Sequence, residues 1–293
     1  MLHSISHKSV CAIFCARKHF TNRFQFFTMF QYCTTNLFTD KIQTQLYAKF
    51  RPSYTDDIFK RFIDFYQEEH CDFQLAVDVG CGSGQSTLPL AKHFKQVIGV
   101  DVSEQQLANA PRDVQNITFH ISPAEELSFI RSSSVDLVTI AQALHWLDLK
   151  KFYAEVDRIL KPGGSLIAYG YGICSLKPEE AEHIFSHIYH EVLPSFWAEG
   201  RKMVEEKYAS IDLPYPGWIR DDSLNIVKKC SVSDFIGYMG SWSAINNYNK
   251  TNSGDILDQV QHKLNSCCAM TNSDTPITVT WPVFMLMGHK PRP

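Results

Sequence analysis

Glycines 80, 82 and 84 follow the apolar run Leu75-Ala-Val-Asp-Val79 without a gap. Glycine tolerates left-handed backbone and lets main-chain N–H groups approach a ligand closely. The spacing misses the dinucleotide pattern G-x-G-x-x-G, whose third glycine falls due at Gln85 or Thr87. A bound diphosphate is therefore not expected. Asp78 places a carboxylate beside the loop, which suits a ligand with a cationic amine. Asp101 closes the run Gln96-Val-Ile-Gly-Val-Asp101, and a carboxylate there can accept both hydroxyls of a ribose. Together, Asp78, Gly80, Cys81, Gly82 and Asp101 outline a pocket for a nucleoside with an amine-bearing tail. The glycines alone are equally compatible with a plain tight turn.

These residues need a scaffold, and hydrophobic patterning supplies one. Short apolar runs at Leu75–Val79, Gln96–Asp101, Ile117–Ile121, Val135–Ala141 and Ser165–Gly170 read as buried strands. Between them lie helical stretches at Gln85–Phe94, from the capping box Ser103-Glu-Gln-Gln106 to near Pro111, and from the cap Asp148 to Lys161-Pro-Gly-Gly164. Asp56–Glu69 is amphipathic, and a first helix over Ile42–Tyr54 should break at Pro52. Such alternation predicts an α/β fold, a doubly wound parallel sheet with helices on both faces. Its ligand belongs at the carboxyl ends of the strands, just after residues 79, 101, 121 and 141.

The segment Ala141-Gln-Ala-Leu-His-Trp146 falls at that edge. His145 could act as a general base, or grip an anion when protonated, and Trp146 could wall the pocket against water. The alternatives are a capping His145 and a core Trp146. Tyr47, Arg51 and Tyr54 precede the sheet as a possible lid, with Arg51 able to grip a carboxylate. Further on, residues from Leu176 to about Tyr208 turn helical again, Leu213–Gly217 is a loop, Asn225–Cys230 a strand and Ser233–Trp242 a helix. Aromatics of this region, among them Phe185, Tyr189, Phe196 and Trp197, read as roof or core. Ile277–Lys290 alternates around Pro282, as in an edge or bulged strand.

At 293 residues the chain can hold one domain with extensions and bury a core without staples. A net charge of −3 argues against nucleic acid as partner, and no apolar run is long enough for a membrane span. Nine cysteines without a C-x-x-C pair give neither a disulfide framework nor a zinc site, so mostly buried thiols under reducing conditions, and no metal, are expected. Residues 1–37 carry Lys8, Arg17, Lys18 and Arg23 with no acid before Asp40. That composition resembles a mitochondrial transit peptide, and equally fits a leader of a cytoplasmic protein or an extension before Met29. The domain proper is placed at 38–293, with a core at about 70–172 and a helical cap at about 173–245. Nothing in the sequence sets an oligomeric state.

The motifs V-D-V-G-C-G-S-G at 77–84, V-I-G-V-D-V-S at 97–103, V-D-L-V at 135–138 and L-K-P-G-G at 160–164 resemble those of the class I S-adenosylmethionine-dependent methyltransferases. Y-A-K-F-R-P-S-Y at 47–54, A-Q-A-L-H-W at 141–146 and S-W-S-A at 241–244 look like the small-molecule group that includes trans-aconitate methyltransferases. The resemblance implies a Rossmann-like seven-stranded sheet with a reversed last strand and a helical insertion covering the substrate. It also implies S-adenosyl-L-methionine as cofactor. Asp78, Gly80 and Gly82 would surround its methionine end and Asp101 its ribose, with Cys81 also at the cofactor. Ala124 and Glu125 would meet its adenine, with Pro123 standing where many relatives have an acid, and Gln142, Tyr47 and Arg51 would complete the site. The segment 141–146 lacks the Asn/Asp-Pro-Pro-aromatic tetrad of many nucleic-acid and protein amino methyltransferases. A small acceptor, through a carboxylate or hydroxyl oxygen, is the expectation. A nicotinamide dehydrogenase and a non-catalytic cofactor-binding protein are the rivals.

Overall fold

The computed structural model describes residues 46, 49–69, 72–198, 200–252, 254–270 and 277–293. The leader at 1–37, Tyr47 and the first part of the helix expected at 42–54 lie outside these residues. Helix α1 (Asp56–Gln67) is followed by β1 (Leu75–Val79), α2 (Thr87–Leu90), β2 (Gln96–Asp101), α3 (Glu104–Leu107), β3 (Ile117–Ile121), β4 (Val135–Ala141), α4 (Leu149–Ile159) and β5 (Leu160–Tyr171). Strands β1 to β5 pair in the order β3-β2-β1-β4-β5, all parallel. This is the doubly wound sheet expected from the alternation.

Both faces of the sheet are buried, because successive side chains of a strand point to opposite sides. Ile167 and Tyr169 of β5 join one apolar cluster with Ile58 and Phe62 of α1. Leu166 and Ala168, their neighbours in sequence, join the other with Phe152 and Val156 of α4. At the base of the sheet, buried Asp136 accepts the N–H groups of Gln74 and Leu75 and pairs with Lys161 at 2.5 Å. Three strands, β1, β4 and β5, are thereby fixed to one carboxylate.

The second half contains β6 (Ser175–Lys177), α5 (Glu179–His187), α6 (Arg201–Glu205), β7 (Ile219–Asp221), β8 (Asn225–Cys230), α7 (Val232–Gly240), α8 (Ser243–Thr251), α9 (Ile256–Met270) and β9 (Ile277–His289). Strand β9 runs antiparallel to β5, the reversed last strand. It is not an edge strand, because β6, β7 and β8 also pair with it. The sheet accordingly has nine strands rather than seven: β6 prolongs the β5 side of β9, and the outer side is divided between β7 and β8. Pro282 is accommodated because it sits at a join. The β5 pairing ends at Val283 and the β6 pairing at Thr280, so the missing N–H interrupts neither ladder. Helices fill most of the remaining segment and pack on the aromatic cluster of Phe185, Tyr189, Phe235 and Trp242.

Two expected helices shrink to single turns beside the glycine loop. Pro89 cannot donate a helical hydrogen bond, and α2 spans only Thr87–Leu90. Helix α3 stops at Leu107, and turns carry the chain on to Pro111. No helix among the described residues is long and apolar enough to cross a membrane.

Candidate functional site

A cavity of about 640 Å³ opens at the carboxyl ends of β1, β2 and β4, where the topology places ligands. Gly80 and Gly82 line its floor, and all three glycines of the loop are left-handed, with φ of +64° at Gly80, +55° at Gly82 and +80° at Gly84. At Gly80 a Cβ would lie 2.6 Å from Cβ of Ala143, so the loop after β4 packs on it directly.

Asp101 organises this floor. Its Oδ2 accepts the Gly82 N–H and its Oδ1 accepts the Ser103 N–H, each at 2.8 Å. Burial raises its pKa, with these backbone donors opposing the rise. A carboxylate offers about four lone-pair sites, so Asp101 retains capacity for hydroxyl donors of a ligand. Its claim on Ser103 also undoes half of the expected capping box. Ser103 Oγ still caps α3 by accepting the Gln106 N–H, but Gln106 has no return bond to make. Gln106 is 4% exposed, lines the cavity, and its Oε1 has no hydrogen-bond partner among the described residues.

Asp78 lies beneath the loop and outside the cavity lining. Its Oδ2 accepts the hydroxyls of Ser86 and Thr87, and its Oδ1 that of Thr139. Burial raises its pKa against these three donors. The carboxylate expected to meet an amine instead holds the glycine loop, α2 and β4 together. Cys81 lines the cavity as a buried thiol, its pKa raised well above the ordinary value by desolvation and then by the nearby carboxylates.

Across the rest of the cavity lie Val102, Pro123, Ala124, Glu125 and Leu147. Val102 is half exposed, an apolar side chain presented to the cavity as a flat base would require. Glu125 Oε1 accepts the Asp148 N–H at the start of α4. Arg51, Tyr54, Gln142, Trp146 and Tyr171 form a further wall. Arg51 reaches Ser241 Oγ through Nε at 2.9 Å and the Tyr171 hydroxyl through Nη1, tying the residues before α1 to β5 and to the end of α7. Gln142 has a left-handed backbone (φ +53°) and donates its amide to the Tyr171 carbonyl.

Thus Arg51, Gly80, Cys81, Gly82, Asp101, Ala124, Glu125, Gln142 and Trp146 share one cavity. His145 does not line it. The side chain is buried, its Nδ1 lies 2.8 Å from the Tyr208 hydroxyl, and burial followed by the Arg201 charge lowers its pKa to about 3. At neutral pH the imidazole is uncharged, so it cannot serve as a protonated anion grip. Sequence reasoning missed Gln106, Val102, Leu147 and Tyr171. Gln106 carried a signal that was absorbed by its reading as a cap.

The cavity accommodates an adenosyl cofactor by its own chemistry: a half-satisfied acid beside a left-handed glycine loop, and an apolar slot. Known proteins agree. Residues 77–168 match a methyltransferase domain family. A Dictyostelium discoideum protein named as a methyltransferase is 35% identical over 88% of this chain and 97% of its own. A Saccharomyces cerevisiae protein named as an S-adenosylmethionine-dependent methyltransferase is 24% identical over 87% of this chain and 98% of its own. A solved protein from Anaeromyxobacter dehalogenans, described as a type II methyltransferase, superposes with a TM-score of 0.73 at 32% identity, covering 83% of this chain and all of the other. The chain belongs to the class I S-adenosylmethionine-dependent methyltransferases, and it is an enzyme of that class. Among the described residues no group of acids, histidines and cysteines could hold a metal ion.

Proposed function

We propose that this enzyme methylates an oxygen, most simply a carboxylate, of a small molecule held between the glycine loop and the wall of Arg51, Gln142, Trp146 and Tyr171. The observation that carries the reading is that wall: Arg51, its guanidinium fixed by Ser241 and Tyr171, belongs to the cavity lining, and His145 lies outside that lining, engaged by Tyr208. An acceptor that is already anionic needs no base, and a fixed cation can hold it.

When bound, S-adenosylmethionine supplies a methyl group on a sulfonium centre. The chain's own contribution is placement. Asp101 and the Gly82 N–H define the sugar end, Val102, Ala124 and Leu147 the base, and Asp78 keeps the loop in register from below. Trp146 and Tyr54 add aromatic surface to the cavity lining. Orientation of this kind can lower the barrier to displacement by several kcal/mol, on the order of 7 or more in favourable cases.

The test is a screen of small carboxylic acids, phenols and amines with methyl-labelled cofactor on the full chain. Label in a base-labile ester is the expected result. Label appearing only on nitrogen, or only on macromolecules, would sink the reading. The same screen separates a cofactor-binding protein without turnover, which would bind S-adenosylhomocysteine yet label nothing.

A further inference from the structure

Gly237, Gly240 and Ser241 share one face at the end of α7, and the chain before α1 lies along it. A Cβ on Gly240 would meet Leu46 and Leu257 at 3.4 Å, an ordinary contact. A Cβ on Gly237 would lie 2.7 Å from three ring atoms of Phe50, closer than carbon atoms approach. Three ring atoms at one distance mean that the ring lies flat over the bare Cα. No small turn of the side chain makes room there, and the ring would have to slide as a whole.

Arg51 follows Phe50 directly. Its Nε donates to Ser241 Oγ at 2.9 Å, its Nη2 donates to the Ser241 carbonyl at 3.4 Å, and its guanidinium carbon lies 5.6 Å from the centre of the Tyr238 ring. Those partners are tied in turn. Ser241 Oγ donates to the Tyr238 carbonyl at 2.6 Å, and the Tyr238 hydroxyl accepts from Trp281 Nε1 of β9 at 3.0 Å. Pro52 comes next, with its own φ fixed and Arg51 held away from helical backbone. The joint between Phe50 and the cavity wall therefore has little freedom to absorb a shift. Arg51, Pro52 and Tyr54 line the cavity, whereas Phe50 and Gly237 do not.

We infer that Gly237 is a positioning residue for the methyl acceptor: its missing side chain seats the Phe50 ring, and the seated ring fixes where Arg51 can hold a carboxylate. The bonds to Ser241 orient the guanidinium. The notch sets how closely the backbone that carries it lies against α7. Any side chain at position 237 lifts that backbone and draws the guanidinium off Ser241. The inference deepens the carboxylate reading above and rests on it.

The experiment uses the full chain, labelled cofactor and the carboxylic acid that the screen selects, and compares Gly237→Ala, Arg51→Gln and the double variant. Gly237→Ala raises the KM for the acid about tenfold, the scale of one charge-assisted hydrogen bond. The kcat and the cofactor KM stay close to wild type, because binding of the acceptor is what is lost. In the double variant the losses do not add, since displacing a guanidinium that is already gone costs nothing more. Gly240→Ala, the same change on the same helix without the close approach, keeps the wild-type KM. If Gly237→Ala does not fold, Phe50→Ala empties the notch from the other side and carries the same expectation. A wild-type KM in Gly237→Ala would overturn the inference, as would additive losses in the double variant or an equal loss in Gly240→Ala. A screen that labels no carboxylic acid would instead overturn the carboxylate reading, and this inference with it.

Discussion

The imidazole of His145 is held by Tyr208, Nδ1 to hydroxyl at 2.8 Å, with both side chains buried. Tyr208 follows Lys207, and both are left-handed without being glycine, at φ +58° and +52°. Such residues persist only where surrounding packing outweighs their cost. Here Tyr208 is fully buried and packs on Phe284 at 4.9 Å between ring centres. The result is a brace from the turn after α6 to the loop after β4, one residue from Trp146 on the cavity wall.

This brace has a pH signature. Burial, then the Arg201 charge, lowers the His145 pKa from 6.5 to about 3. The unfolded chain takes up this proton near pH 6.5, and the folded chain refuses it until about pH 3. The contribution to stability is complete above pH 6.5 and falls at about 1.4 kcal/mol per unit as the medium acidifies through that window. Urea unfolding of the wild type and of His145→Phe at pH 7.5, 6 and 5 should show a shallower acid slope in the variant. Parallel curves would refute the assignment.

Asp78 supports the loop from below. Asp78→Ala leaves the hydroxyls of Ser86, Thr87 and Thr139 without their common acceptor in a fully buried place. A loss of about 2–4 kcal/mol in urea unfolding is expected. A loss under about 1 kcal/mol would show that the three hydroxyls do not anchor the loop.

Asp101→Ala removes the clamp on Gly82 and Ser103 together with the proposed ribose acceptor. Affinity for S-adenosylhomocysteine should weaken by about 1–3 kcal/mol by calorimetry. Unchanged affinity in a folded variant would take Asp101 out of the site.

Gly80→Ala and Gly217→Ala separate backbone strain from close packing. Both positions are left-handed, at φ +64° and +76°. A Cβ at Gly80 meets Ala143 Cβ at 2.6 Å, and a Cβ at Gly217 meets nothing within 4 Å. Each variant should lose about 1 kcal/mol for the backbone alone. Only Gly80→Ala should also displace the loop after β4 and weaken S-adenosylhomocysteine binding tenfold or more. Equal binding by the two variants would contradict the packing of that loop on Gly80.

The parallel core was legible because each strand is a short, nearly continuous apolar run between turn residues, a pattern that both-face burial imposes. The glycine loop and Asp101 were legible for a related reason, since left-handed turns and strand-end acids leave marks in residue type. Strand β9 was harder. Its alternation and its proline suggest an edge, and nothing local in Ile277–His289 announces that β7 and β8 will return to cover its other side. His145 was misplaced for a similar reason. A histidine after β4 reads the same in sequence whether it faces the cavity or turns back to Tyr208, 63 residues away.

Ser103-Glu-Gln-Gln106 marks the same division. Residue order alone specified a capped turn, because cap preferences act over four neighbouring residues. Asp101 takes the Ser103 N–H from two residues away in a local turn, whereas its bond to the Gly82 N–H, 19 residues off, forms only once β1 and β2 have paired. Chain-local forces favour elements and turns. The competition among donors and acceptors that shapes a binding pocket is decided between groups far apart in sequence, at distances that the folded sheet sets.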